Sequence, residues 1–484
     1  MAHTATEADL KSDIPDIRPI PILAVLLSGA FVAILNETIL NVALQAIMGD
    51  LGVTSSTAQW LVTSYMLVIG TLIPISAYFI KRFTTRQLFI TAMSLFTLGT
   101  VIAGVSPTFA VLLIGRITQA VGTAIMIPLL MNVILAVIPV ERRGAAMGMM
   151  GLVIMFAPAI GPTVSGLIIE SLTWRWLFYL VIPIALFSLV FGYFVLKNVT
   201  ETSKPKLDVF SFILSTIGFG GIVFGFSTAG KGDSSLADPL VIASLVIGLL
   251  ALVTFAIRQL KMEEPLLDIR VFRFPMFALG LVLVMLVMMT MFALMLVLPM
   301  YMQSALLFTA VATGLIMLPG GIINGAMSPI MGRLFDKVGP RPILIPGAIM
   351  LVITVFTYRF STPGVDEWVL ALQHVFVMVS VAMIMMPAQT NGLNQLPKEL
   401  YPHGTAIFNT LMQVSGAIGA AIFISIMETG RTNALSGIQN PSAEQQIEAA
   451  TIGAQQSFSF GLIFAVIALL IALFIRSKNT KNPA

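Results

Sequence analysis

Residues Gly332–Arg341 read GRLFDKVGPR, and residues Ala77–Arg86 read AYFIKRFTTR. Each decapeptide follows a long apolar run, carries charged residues at its centre and ends in arginine. Ala77 and Gly332 are 255 positions apart, as are Arg86 and Arg341. The same offset carries Pro21, which opens the first apolar run, almost onto Pro275, which opens the ninth. The chain therefore reads as one unit used twice, with room between the copies for two further helices at 208–258.

What surrounds these decapeptides fixes the solvent. The 484-residue chain is 57% hydrophobic and only 10% charged, with mean hydropathy +0.98. A soluble chain carries roughly 25% charged residues. Apolar runs long enough to cross a bilayer recur throughout, and fourteen are expected: 21–48, 57–80, 87–105, 108–139, 144–170, 175–197, 208–229, 238–258, 275–303, 309–333, 341–359, 367–391, 403–428 and 457–476. The expected fold is an all-α integral membrane protein of six, two and six helices: an N-terminal bundle (1–200), two linker helices (201–270) and a C-terminal bundle (271–484). Parallel repeats of this kind mark secondary transporters.

Charge sets the orientation. Of the 26 Lys and Arg residues, only Arg175, Lys231, Arg359 and Arg431 fall on the face opposite the termini, and Arg116 falls inside a span. All others lie with the termini, so the positive-inside rule places both termini in the cytoplasm of a multi-pass plasma-membrane protein. The polar N-terminus has no small-residue cleavage site, so a cleaved leader is not expected. Cysteine is absent, which removes disulfides, thiol catalysis and cysteine–metal sites. The slight basic excess follows the membrane faces and is no sign of nucleic-acid binding. No G-x-x-x-x-G-K-[ST] phosphate loop is present, and the loops hold no cluster of catalytic groups. An ATP-driven pump, a membrane enzyme and a receptor with an output domain are all disfavoured.

Two charges stand out inside spans. Glu37, in the stretch Ile34–Leu44 (ILNETILNVAL), is the one acid deep in an apolar run, and Arg116 is the one deep base. A charge at mid-bilayer costs about 2.5–3.5 kcal/mol on insertion scales, so such groups face a bundle interior and tend to pair. Both fall in the outer halves of their helices, where they are expected to meet. Arginine does not give up its proton usefully, so a proton carried by this pair would ride on Glu37. A purely structural carboxylate, paired with Arg116 or bonded to Asn36, Asn41 or Gln119, is the alternative. The C-terminal half offers no deep charge. Its uncharged polar residues Asn324, Gln389, Asn409 and Gln413, with Phe292, which the offset places opposite Glu37, are candidate substrate contacts, as is Tyr65. Interhelical bonding competes with that role. The methionine-rich run Leu283–Met302 suits an adaptable pocket. His374, in the outer part of the twelfth span, is expected to be structural, Glu428 sits at the outer end of the thirteenth, where a charge stays hydrated, and Trp174, Trp176 and Tyr179 read as an interfacial belt.

These stretches resemble the major facilitator superfamily, and within it the fourteen-helix drug:proton antiporters, over nearly the whole chain. Gly332–Arg341 is similar to the G-x-x-x-D-R/K-x-G-R-R cytoplasmic loop, with Asp336 and Arg341 in place. The first copy departs from it, with Lys81 where the acid belongs. Leu112–Gly122 (LLIGRITQAVG) resembles the fourth-span motif l-x-x-x-R-x-x-Q-G-x-G, matching at Arg116, Gln119 and Gly122. Ala157–Gly166 (APAIGPTVSG) resembles the fifth-span antiporter motif G-P-x-x-G-G through Ala157, Pro158, Gly161 and Pro162, a small face suited to rocking between the halves. Leu35–Leu44 resembles L-D-x-T-I-V-N-V-A-L, but the acid has moved from the position of Asn36 to Glu37, a rotation of about 100° on a helix. The resemblance implies a monomeric, proton-driven exporter of lipophilic, often cationic drugs that works by alternating access without ATP or a cofactor. An exporter of one metabolite or lipid and an uncoupled facilitator are the rivals.

Overall fold

The computed structural model describes residues 19–199, 202–203, 208–229, 238–438 and 440–476. The side chains of Asn41 and Pro162 lie outside the described residues. All regular structure described is helical: α1 (Pro19–Leu51), α2 (Ser55–Leu72), α3 (Ser76–Arg82), α4 (Thr85–Gly104), α5 (Phe109–Val137), α6 (Arg143–Ser171), α7 (Trp176–Val195), α8 (Val209–Ala229), α9 (Pro239–Lys261), α10 (Pro275–Ser304), α11 (Ala310–Val338), α12 (Arg341–Tyr358), α13 (Glu367–Asn394), α14 (Tyr401–Leu435) and α15 (Ala443–Phe474). Thirteen segments among the described residues are long and apolar enough to cross a membrane. One of them, Trp60–Arg82, joins α2 to α3 through a 3-10 turn at Ile73–Ile75, where Pro74 withholds a backbone donor. The α6 helix, 29 residues long, packs against α1 on one side and α11 on the other.

Helices α1 to α7 pack mainly among themselves, as do α10 to α15. The groups meet where α6 crosses α11 and where α14 touches α3 and α5. The α8–α9 hairpin packs on α2 and α14, touching both groups through α8. On α9 the side chains of Leu240, Val246, Ile247, Leu249 and Leu250 are all exposed. An uninterrupted apolar surface of this kind belongs in lipid, where the helix satisfies its own backbone.

Helix ends explain where the sequence reading ran short. The last span was expected from 457, yet α15 begins at Ala443. Ser442 accepts from the Gln445 amide while Gln445 bonds back to the Ser442 amide, a capping box that starts the helix. The first turns, AEQQIEAATIGAQQ, are too polar for a hydropathy window, but Ala449, Ala450 and Ala454 are buried. Helix α14 likewise runs to Leu435, beyond the expected 428. Trp174 is no belt residue: it is 2% exposed, and its indole N–H donates to Asp50 (3.0 Å). Trp176 is exposed as expected.

Candidate functional site

Arg116, on α5, is 1% exposed. Its Nη1 donates to Gln119 Oε1 one turn along (3.0 Å), and the guanidinium lies over the ring of Tyr65 from α2, 4.1 Å from its centroid. Such stacking is worth about 2 kcal/mol when desolvated. Gln119 passes the contact on: its Nε2 donates to Thr100 Oγ1 (2.8 Å), and Thr100 donates to the Phe96 carbonyl. Thr123 donates to the Gln119 carbonyl, so its hydroxyl oxygen is left to accept from Tyr65 Oη (2.8 Å). The network ties α2, α4 and α5 together around one buried cation. Its Nε has no partner among the described residues.

The helices come close enough for this because small residues line the seam. A Cβ at Gly99 would meet the Gln119 backbone nitrogen and the Gly115 carbonyl, and one at Gly122 would meet the Ala92 carbonyl. Gly122 therefore packs α5 onto α4 within one half.

Glu37 stands half-buried on α1, within electrostatic reach of Arg116 and Tyr65. The expected meeting occurs at a distance, since no direct ion pair joins Glu37 to Arg116 among the described residues. Arg116 gives one donor to Gln119 and its face to Tyr65, leaving the carboxylate facing a cation it does not touch. Asn36 beside it is fully buried, with both side-chain polar atoms unpartnered among the described residues. Burial of such atoms without partners costs about 1–3 kcal/mol each. The arrangement suits a proton or a polar guest that comes and goes.

The small face of α6 packs on α1 beside this acid. A Cβ at Gly161 would collide with the Thr38 hydroxyl, and Ser165 Oγ donates to the Ile39 carbonyl (2.7 Å). Ala157 is fully buried and Pro158 half-buried on the same helix. The rocking surface expected at Gly161 thus lies inside one half, against α1. The seam between halves sits nearer the start of α6, where Gly144, Gly148 and Gly151 face Gly332, Ser328 and Met386.

That seam is fastened at the end of the bundle carrying the repeated decapeptides. Asp336 accepts from the amides of Gly144 and Ala145, both at 2.8 Å, capping the start of α6. Arg341 donates to the carbonyls of Ile475 (2.9 Å) and Leu473 (3.0 Å), capping the end of α15. Its counterpart Arg86 does the same for α7 by donating to the Tyr193 carbonyl (2.7 Å). Arg143, which sequence reasoning missed, crosses between halves: Nη1 donates to Asn394 (2.9 Å) and to Tyr401 Oη (3.0 Å), while Nε and Nη2 bind carbonyls at the end of α5. In the sequence it is one of many basic residues near the termini's face, with no signal of its own.

The candidate substrate residues scatter. Gln389 and Asn409 converge on Met131 of α5: Asn409 Nδ2 donates to its sulfur (2.9 Å) and Gln389 Nε2 approaches it at 3.8 Å and Met412 at 3.6 Å. Gln389 Oε1 has no partner among the described residues. Asn324 instead donates to the Met378 carbonyl, and the ring of Phe292 lies against Gly416. Gln413 is half-buried on α14. His374, 4% exposed, packs against Gly320.

Residues 26–420 match the Major Facilitator Superfamily. The chain is 50% identical over 463 residues to the lincomycin resistance protein LmrB of Listeria monocytogenes, covering 96% of this chain and 98% of that one. It is 49% identical over 457 residues to LmrB of Bacillus subtilis, covering 94% and 95%. Among solved structures it is similar to the human organic anion transporter MFSD10, with a TM-score of 0.68, 13% identity, and 94% of this chain and 100% of that one covered.

Proposed function

The chain belongs to the Major Facilitator Superfamily, a family of transporters rather than enzymes, and from that premise we propose that it exports small-molecule drugs in exchange for protons. Drug export rests on the likeness to the lincomycin resistance proteins. Proton exchange rests on one observation: Glu37 is the only acid among the described residues placed deep in a membrane helix, and it faces a buried Arg116 it does not touch. The remaining described acids sit in loops or within about two turns of a helix end.

In this reading fourteen spans, counting α6 and taking α2 with α3 as one, form six, two and six: an N-terminal bundle (1–200), a linker pair (201–270) and a C-terminal bundle (271–484). Both termini lie in the cytoplasm, and the protein works as a monomer in the plasma membrane. Glu37 holds a proton taken from outside, or releases it as a lipophilic, often cationic substrate enters. Arg116 sets the local potential and Gln119 and Tyr65 hold Arg116 in place. The two bundles rock about the midplane, so the gradient supplies the energy and no ATP or cofactor takes part. Gln389 and Asn409, gathered on Met131, are the best placed of the substrate contacts.

The experiment is transport into inverted vesicles carrying Glu37→Gln. The variant is expected to fold and bind drug but to lose export driven by a pH gradient, because no second deep carboxylate is available. Undiminished gradient-driven export would refute the assignment and favour the uncoupled facilitator.

A further inference from the structure

At the end of the bundle opposite Asp336 and Arg341, three cations are described. Arg175 pairs with Asp50 (2.7 Å) and Arg431 pairs with Glu428 (3.2 Å). Arg359, just beyond α12, is exposed, and its guanidinium has neither an ion pair nor a hydrogen bond among the described residues. It stands at the border of a cavity of about 730 Å³.

One face of α15 forms the floor of that cavity, and its chemistry changes with depth. Past Ile452, the lining runs from Gln455, Gln456 and Ser459 to Phe460 and Ile463, and Ile426 of α14 stands at the border as well. Gln455 uses its amide N–H on the Ser361 carbonyl (2.7 Å), and the Ser459 hydroxyl donates to the Gln455 carbonyl (2.7 Å). Gln456 is laid over Gly430, where a Cβ would strike its Oε1, and its amide has no hydrogen-bond partner among the described residues. Beyond Ile463 the same helix stays apolar and exposed through Val466, Ile467 and Leu470. No acid borders the cavity, and the nearest acid on α14, Glu428, is taken by Arg431.

We infer that this groove is a binding site for one anionic phospholipid, its phosphate on Arg359, its polar backbone region over the glutamine amides, and an acyl chain along Phe460, Ile463 and the exposed apolar face of α15. The order of cation, amide and hydrocarbon matches the order of groups in such a lipid. A net anionic headgroup fits better than a zwitterionic one, because Arg359 offers a positive charge and no carboxylate borders the cavity to balance an ammonium. The site is remote from Glu37 and does not depend on proton exchange.

The test uses the purified full chain in detergent, titrated with phosphatidylglycerol or phosphatidylcholine and read by native mass spectrometry. Wild type is expected to hold one phosphatidylglycerol in preference to phosphatidylcholine. Arg359→Gln should weaken that lipid about fivefold, the worth of one basic contact at a membrane surface, and abolish the preference. Arg359→Lys should keep most of it, and Ile463→Ser should weaken both lipids. Arg431→Gln should change nothing. Glycerol phosphate alone should not displace the lipid. Equal binding of the two lipids by wild type, unchanged binding by Arg359→Gln, or displacement by glycerol phosphate would each overturn the proposal.

Discussion

A single amide, Gln119, decides how Arg116 is presented, since it accepts from the guanidinium on one side and donates to Thr100 on the other. Gln119→Leu keeps the volume but removes both bonds and leaves a fully buried cation with a second unpartnered nitrogen. An unsatisfied buried group costs about 1–3 kcal/mol, more when charged, so the purified variant should unfold at a clearly lower temperature than wild type. An unchanged midpoint would show that Tyr65 alone holds the cation. At this scale the sequence was legible wherever a residue broke its surroundings: Glu37 and Arg116 stand out because an apolar run surrounds them. Tyr65, Thr100 and Thr123 break no pattern, being ordinary in a membrane helix. Their roles follow from a crossing of α2, α4 and α5 that no local stretch encodes. The same limit hid the indirect geometry of Glu37 and Arg116, because spacing along a helix does not say which partner a guanidinium prefers.

Between helices, the two decapeptides show how far a repeat can be trusted. Arg86 and Arg341 perform one task, each holding the final carbonyls of the last helix in its half. Asp336 and Lys81 do not, although the offset equates them. Asp336 caps the start of α6, where a carboxylate is favoured by the amide dipoles, whereas Lys81 brings the opposite sign to the neighbourhood of α14. Even the turns differ: Gly339 adopts φ +78°, which a residue with a Cβ resists, while Thr84 is an extended N-cap at φ −70°. The halves are therefore fastened asymmetrically at this end. Asp336→Asn retains one acceptor and loses the charge, weakening the cap by about 1 kcal/mol. A cysteine placed at Ser328, in the seam beneath, should then react with a water-soluble maleimide about fivefold faster than in the otherwise unaltered chain. Equal rates would mean that Arg143 alone closes the seam. The copies were legible as copies, but a fastening made between distant helices was not.

Across the whole molecule, the repeat and the apolar runs were enough to anticipate an all-helical membrane bundle, because burial in lipid forces every span to declare itself in composition. How the halves meet was not legible, since glycine serves close packing equally well within a half, as at Gly161, and between halves, as at Gly148. If the halves rock, the α6–α11 crossing must open and close in each cycle, and a covalent tie across it must stop export. The chain has no cysteine, so an introduced pair reports without background. Gly151 and Ser328 suit the purpose: a Cβ built on Gly151 lies 3.1 Å from Ser328 Cβ, so the two backbones need part by only a few tenths of an ångström to reach the range a disulfide spans. The Gly151→Cys, Ser328→Cys protein should export drug while reduced, fall to background when oxidised, and recover on addition of dithiothreitol. Each single cysteine variant should be indifferent to oxidation. Full export by a protein shown to be cross-linked would mean that the seam is a fixed hinge, with access alternating through movement elsewhere, and the junction of α14 with α3 and α5 would be the next crossing to tie.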